Sequence, residues 1–200
     1  MFRNVSELLE LTEEKGISIS EAMILQEMEV TGRSREEILE KMRVNLNTME
    51  AAAKRGIEED VVSVSGLTGG DGKKLAAYIK RGTMIGGETT LLAVANAMAT
   101  NEVNAAMGII CATPTAGSAG VVPGVMFGVE SKLKPTEYQK LAFLFTSGAF
   151  GFVVANNASI SGAAGGCQAE VGSATGMAAG ALVEMLVARH DNLHTQWLLR

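Results

Sequence analysis

Residues 34–56, SREEILEKMRVNLNTMEAAAKRG, decide the fold class of this 200-residue chain. Ser34 and Glu37 have the spacing of a capping box, in which each side chain accepts from the other residue's backbone N–H. The apolar residues that follow recur every three or four positions and therefore share one face of a helix: Ile38, Leu39, Met42, Leu46 and Met49. Gly56 is expected to end this helix.

Further helices are expected on both sides of this segment. One is predicted over residues 5–15, ending at Gly16, and another follows Ser20 and ends near Gly32. Beyond residue 60, helix-like segments alternate with loops, at 74–80, 89–100, 121–129, 136–150 and 167–188. The alternation of apolar and polar residues that is typical of a half-buried strand occurs only at 61–64. The sequence predicts an all-α, multi-helix catalytic domain whose Gly/Ser/Thr-rich loops converge on a pocket.

Composition excludes several classes of protein. The chain is 47% hydrophobic and 20% charged, as in a soluble globular protein, and its net charge of -5 argues against binding to nucleic acid. The opening MFRNVSELLELTEE has acids where a signal peptide would be apolar. The apolar stretch 141–155 is shorter than a membrane span and predicts a buried helix, not a membrane protein. Two widely separated cysteines suggest no disulfide framework, and a cytoplasmic location follows.

The loop SGLTGGDGKK, residues 65–74, resembles a phosphate-binding loop but has the wrong spacing. Five residues separate Gly66 from Gly72, and Lys74 stands where a hydroxyl should bind magnesium. A nucleotide P-loop is therefore rejected. Clustered glycines still expose backbone N–H groups that could hold a small anion such as a carboxylate, with Lys74 opening a helix. A tight turn between helices is the alternative.

Two further loops combine hydroxyls, amides and glycines. The loop CATPTAGSAG, residues 111–120, suits close packing around a small ligand, with a proline restricting its backbone. The segment NNASISG, residues 156–162, is an abrupt polar patch after an apolar run. Buried amides and hydroxyls must find partners, so a packed loop and a ligand pocket remain equally open.

The loop GGCQAEVG, residues 165–172, places Cys167 at a predicted helix start. The helix dipole there favours the thiolate, which suits a metal ligand or a nucleophile. A small buried hydrophobe is the alternative. His190 and His194 imitate a zinc-binding pair, but only six residues follow and none is His, Cys or an acid, so no zinc site is expected.

Taken in order, these loops resemble the α subunit of bacterial iron–sulfur-dependent L-serine dehydratases. The matching stretches are 65–74, 111–124 (CATPTAGSAGVVPG) and 156–174 (NNASISGAAGGCQAEVGSA), and the likeness covers nearly all of 1–187. The resemblance implies an all-helical catalytic domain with a 4Fe-4S cluster that converts L-serine to pyruvate and ammonia in serine catabolism. It also implies an oligomer completed by a β subunit.

The resemblance also carries site residues. Cys167 is expected to be the first cluster ligand, whereas Cys111 lies outside the family's ligand motifs. The substrate loop would be lined by Ser65, Thr68, Gly69, Gly70 and Asp71. The weaker pocket candidates are Thr115, Ser118, Asn157 and Ser159. No residue is assigned as the base that removes the α-proton.

The end of the sequence departs from that family. Where the family continues to two further cysteines, this chain reads LVARHDNLHTQWLLR over 186–200. We therefore expect an incomplete catalytic domain at 1–187, with a helical lead-in at 1–60 and a site-forming part at 61–187, followed by an atypical tail at 188–200. Several thiolates hold an iron–sulfur cluster, so the ligand set is incomplete. Without a second polypeptide, the chain is expected to be inactive.

Two other interpretations remain. Lys73 or Lys74 could form a Schiff base in a pyridoxal-phosphate-dependent serine deaminase, although both lie in a charged, solvated stretch. Alternatively, the chain is a non-catalytic helical fragment or interaction subunit that exposes apolar helix faces.

Overall fold

A computed structural model describes the backbone of residues 1–82 and 84–198, and the side chains as far as residue 187. Over these residues the chain forms helices and no strand, so the predicted all-α class is confirmed. The nearest approach to a sheet is an isolated bridge between Val62 and Gly69. The helices are α1 (Val5–Lys15), α2 (Ile19–Thr31), α3 (Arg35–Glu58), α4 (Asp71–Lys80), α5 (Glu88–Ala105), α6 (Val121–Leu133), α7 (Glu137–Asn157) and α8 (Gly162–Leu198).

Several helices begin at side chains that cap them locally. The Ser34–Glu37 capping box is confirmed, and Thr136 and Gln139 form a second one at α7. The helix α2 begins after Ser18, whose side chain accepts from the Glu21 backbone N–H, so the prediction that it follows Ser20 was wrong. A cap works through one nearby side chain, so such starts are encoded locally, although at α2 both Ser18 and Ser20 were candidate caps.

Gly56 does not end α3, contrary to expectation. The helix continues to Glu58, and Gly56 is buried within it. A Cβ atom at Gly56 would lie 2.3 Å from the carbonyl oxygen of Ala99 on α5. This glycine therefore serves the close approach of two helices and does not mark a helix end.

Other predicted bounds also change. The helix α4 begins at Asp71, not Lys74, and α6 continues to Leu133. The helix α7 runs on to Asn157, so the polar patch 156–162 begins inside a helix. The predicted start of a helix at Cys167 agrees with a backbone break at Gly166, where φ is 74° and ψ is 176°. The side chains of the tail 188–200, including His190 and His194, lie outside the described residues.

Small residues let α5 lie close to its neighbouring helices. It packs against α6, α3 and α4, while α7 packs against α8 and α2. At Gly124 and Gly128 of α6, an added Cβ atom would lie 2.8 Å and 2.6 Å from atoms of Ala97 and Ala93, respectively. The many Ala and Gly residues thus allow close contacts between helices that larger side chains would prevent.

The core consists of two main apolar clusters. One joins α3, α6, α7 and α8, and the other joins α1, α2, α3 and α7. The helix α7 contributes to both and is long and apolar enough to cross a membrane by length and composition alone. Half of its apolar window is buried within the protein, as is typical of a core helix.

Candidate functional site

The N-terminus of α4 is bound by a carboxylate of the protein itself. No side chain near Gly70 caps this helix. Instead, Glu102 of α5 accepts from the Asp71 backbone N–H at 2.6 Å and from the Gly72 N–H at 3.3 Å. Glu102 is only 9% exposed. The expected anion-binding N–H groups therefore exist, but Glu102 occupies two of them, so the substrate carboxylate expected at these N–H groups cannot bind there without displacing it.

The residues before this helix form a compact turn. Thr68 donates its backbone N–H to the Ser63 hydroxyl at 3.2 Å, and the hydroxyls of Ser63 and Ser65 lie 3.1 Å apart. Gly69 has a φ of 141°, and a Cβ atom there would lie 2.2 Å from the Val61 carbonyl oxygen. The tight-turn interpretation of this loop accounts for these contacts, while a substrate role for Ser65, Thr68 and Gly69 stays a prediction.

Both lysines of the loop are paired with carboxylates. Lys73 Nζ lies 2.7 Å from Asp60 Oδ1, and Lys74 Nζ lies 2.9 Å from Asp71 Oδ1. The hydrogen bond to Asp71 raises the pKa of Lys74. A Schiff-base lysine needs the opposite shift, because only the neutral amine is a nucleophile. This geometry disfavours the pyridoxal-phosphate alternative at Lys74.

The 111–120 loop and the 165–172 segment meet through a hydrogen bond. The Thr115 hydroxyl donates to Glu170 Oε1 at 2.6 Å and lies 3.1 Å from the Ser118 hydroxyl. Ser118 is fully buried, and its hydroxyl donates to the Thr113 carbonyl at 3.0 Å. The structure thus brings Thr115 and Ser118 together beside α8, although both hydroxyls already have partners within the protein.

Glu170 lies between two glycines from different segments. A Cβ atom at Gly117 would lie 2.8 Å from Glu170 Oε2, and one at Gly162 would lie 2.4 Å from the same oxygen. A larger residue at either position would require the Glu170 carboxylate to move from its place. Nothing in the sequence around Glu170 indicates this role.

Cys167 is exposed and follows the break at Gly166 directly. Its thiol is free, which leaves it able to coordinate a metal. Within the described part of the chain, however, no cluster of three or more His, Cys, Asp or Glu side chains could hold a metal ion. The described residues therefore fit one thiolate ligand and do not fit a complete cluster site.

Asn157 and Ser159 make hydrogen bonds to residues other than Thr115 or Glu170. The Asn157 amide donates to the carbonyl oxygens of Arg3 and Val153, each at 2.8 Å. The Ser159 hydroxyl accepts a weak hydrogen bond from the Ser161 backbone N–H at 3.4 Å. Asn157 thus joins the end of α7 to the N-terminal segment, which is the packed-loop interpretation for that residue.

Cys111 lines a separate cavity of about 390 Å³ between α3, α7 and the 111–120 loop. Its thiol donates to the Asn45 carbonyl oxygen at 3.5 Å, and burial raises its pKa. Ser147 lines the same cavity, and its buried hydroxyl has no hydrogen-bond partner in the described structure. Thr115 and Ser118 do not line this cavity.

A third glutamate was also missed by the sequence analysis. Glu184 of α8 accepts from the backbone N–H groups of Ile19 and Ser20 at 2.9 Å and 3.1 Å, and from the Thr146 hydroxyl at 2.8 Å. Unlike Glu102, which has asparagines nearby in the sequence, Glu184 stands alone among apolar residues of its helix. An isolated acid of this kind signals a carboxylate with a partner inside the fold, because carboxylates are rarely buried unpaired.

Comparisons to known proteins agree with the family that the order of the loops indicates. A model of the family described as "Serine dehydratase alpha chain" matches residues 14–194. The chain belongs to the serine dehydratase alpha chain family. It is similar to the "Probable L-serine dehydratase, alpha chain" of Bacillus subtilis, with 66% identity over 92% of this chain and 61% of that protein.

More distant members of the serine dehydratase family match over the same region. Identity is 36% to the "L-serine dehydratase, alpha chain" of Peptoniphilus asaccharolyticus, over 93% of this chain and 64% of that protein. It is 32% to "L-serine dehydratase 2" of Escherichia coli, over 94% of this chain and 42% of that protein. The chain thus spans 61–64% of the length of these two alpha chains.

Proposed function

We propose that this chain is part of an L-serine dehydratase, a lyase that converts L-serine to pyruvate and ammonia in the cytoplasm. The observation that carries this proposal is the family match together with an exposed, unpaired Cys167 at the start of the α8 segment. Thiolates at helix starts are stabilised by the helix dipole and by nearby cations or metals.

In this proposal Cys167 supplies one thiolate to a 4Fe-4S cluster. Such a cluster, when bound, supplies a Lewis acid for the departure of the β-hydroxyl, which is otherwise a poor leaving group. The remaining ligands would come from another polypeptide or another part of the protein, since the described residues provide one exposed thiol. We propose that the chain alone, with residues 1–187 as an incomplete domain and 188–200 as its tail, has no turnover.

The substrate would approach the end of α5, where Glu102 binds the 65–72 loop and Asn104 binds the 111–120 loop, which also contacts α8 through Thr115. Asp71, Gly70 and the neighbouring turn would shape one side, and Thr115 and Ser118 the other. Because Glu102 already binds the α4 N–H groups, we propose that it shapes this loop without contacting serine. A β subunit would complete the oligomer.

The test compares this chain with two cysteine variants under anaerobic conditions. Each is co-expressed with the β subunit and the part of the Bacillus subtilis alpha chain that this chain does not match. Iron, sulfide and serine-dependent pyruvate are then measured. We expect Cys167→Ala to lose iron and pyruvate, and the matched control Cys111→Ala to keep both.

Three results would overturn the proposal. One is pyruvate formation with no metal present, and a second is retention of iron and turnover by Cys167→Ala. The third is an assembly of the wild-type chain with neither iron nor turnover, which would favour the non-catalytic helical fragment.

A further inference from the structure

The carboxylate of Glu170 joins three separate segments of the chain. It lies on the helix that starts at Cys167, accepts a hydrogen bond from Thr115 at 2.6 Å, and fits against Gly117 and Gly162. We call Glu170, Thr115, Gly117 and Gly162 the Glu170 latch. Its members come from the 111–120 loop and from both sides of the break at Gly166.

The break at Gly166 separates two helical segments whose relative position the Glu170 latch can affect. With φ at 74° and ψ at 176°, Gly166 interrupts the helix, so the turn at 162–165 is not continuous with the helix that follows. The carboxylate of Glu170 reaches back across this break to Gly162. Residues three positions apart lie on one face of a helix, so Glu170 and Cys167 share a face.

The Glu170 latch is formed by a directional hydrogen bond and not by an ion pair. Thr115 provides the hydrogen bond to Glu170, and none of the ion pairs formed by the described residues includes this carboxylate. A hydroxyl-to-carboxylate bond is short and directional. The two glycines leave room for the carboxylate on its other sides, because a methyl group at either position would come within 3.0 Å of it and require the Glu170 side chain to move.

We propose that Glu170 is a positioning residue that sets the direction of the Cys167 thiol. It does so by fastening the 111–120 loop and the 162–165 turn to the start of the Cys167 helix. The consequence for serine dehydration rests on the proposed function, whereas the effect on the thiol does not.

The test measures how fast iodoacetamide alkylates Cys167 in the metal-free chain. A Cys111→Ala background leaves Cys167 as the sole thiol, and the rate in urea gives the value for the unfolded chain. Released from the latch, the thiol samples more orientations. We therefore expect Glu170→Ala and Thr115→Val each to move the native rate severalfold towards the unfolded rate.

Matched variants distinguish the effect of the Glu170 hydrogen bond on the alkylation rate from the effect of its charge. Glu170→Gln removes the charge but keeps an oxygen that accepts from Thr115, so its rate should stay near that of the parent. Gly162→Ala should behave like Glu170→Ala, because its methyl group displaces the carboxylate. Gly172→Ala, at a glycine of the same helix with nothing within 4 Å of an added Cβ atom, should change nothing.

The outcomes decide the proposal without reference to turnover. If Thr115→Val leaves the rate unchanged, or if Glu170→Gln changes it as much as Glu170→Ala, the positioning role is wrong. Thermal unfolding of each variant shows whether it remains folded at the assay temperature. If the rates behave as expected while the complemented assembly binds no iron, the proposed function alone fails.

Discussion

The helices α3 and α4 begin in opposite ways. The first turn of α3 is capped by Ser34 and Glu37, which are neighbours in sequence. The first turn of α4 begins at Gly70 without a side-chain cap, and its N–H groups are bound by Glu102, about thirty positions later in the chain. Sequence predicted the first start correctly and placed the second at Lys74 instead of Asp71. A local cap is legible in sequence, whereas a remote one depends on the fold.

The largest expected effect comes from removing the remote cap. Glu102→Ala leaves the N–H groups of Asp71 and Gly72 without their carboxylate acceptor, and hydrogen bonds to charged groups contribute about 1.5–3 kcal/mol each. We expect the free energy of unfolding, measured in urea, to fall by about 3 kcal/mol. As a control, Glu29→Ala removes an exposed glutamate and should cost less than about 0.5 kcal/mol. A similar small cost for both would mean that α4 does not need Glu102.

A second remote carboxylate should have an intermediate effect. Glu184→Ala removes the acceptor for Ile19, Ser20 and Thr146, and we expect a loss of about 2 kcal/mol in the same measurement. The loss is smaller because the Ser18 side chain still caps α2 locally.

A double-mutant cycle with Thr146→Val tests whether Glu184 acts through that contact. A coupling of at least about 0.5 kcal/mol is expected for residues that share a hydrogen bond. Strictly additive losses would show that the Thr146 contact adds nothing to the remote cap.

Removing the local cap should lower the free energy of unfolding by less than removing either remote carboxylate. Ser34→Ala removes the side chain that accepts from Glu37, and capping residues contribute about 1 kcal/mol. Ser6→Ala, at an exposed serine within α1, is the matched control and should be nearly neutral. A Ser34→Ala loss equal to that of Glu102→Ala would erase the distinction between the two helix starts.

The smallest expected effect is a pH dependence of stability that arises from Cys111. Its contact with Asn45, like the remote caps, joins positions that are distant in sequence. Burial raises the pKa of this thiol, and a hydrogen bond from Thr48 opposes the rise. At a pH between the unfolded and folded pKa values, the Cys111 thiol therefore keeps its proton in the folded state but loses it in the unfolded state. The resulting stabilisation is present below the ordinary thiol pKa of about 8.5 and is lost as pH rises above it.

Alkylation of Cys111 against pH measures this shift. We expect a midpoint above the ordinary thiol value in the native chain, a further rise in Thr48→Val, and the ordinary value in urea. A native midpoint at or below the ordinary value would contradict the effect of burial.

The candidate site shows the same division between local and remote information. The placement of Cys167 at a helix start could be predicted, because the glycines before it break the helix. The partner of Thr115 could not, because Glu170 lies 55 positions further along the chain. Nor did sequence show that Asn157 bonds to Arg3, since nothing in the 156–162 segment identifies the N-terminal segment as its neighbour.

By itself, the sequence determined the all-α class, the capping box that begins α3 and the order of the glycine-rich loops. Each of these follows from residues within a few positions of one another, where helical periodicity and capping act. Only the tertiary structure decided the extension of α3 past Gly56 and the partners of Glu102, Glu170 and Glu184. A carboxylate bonds to whichever donor the fold places beside it, and a glycine's role depends on which backbone it faces.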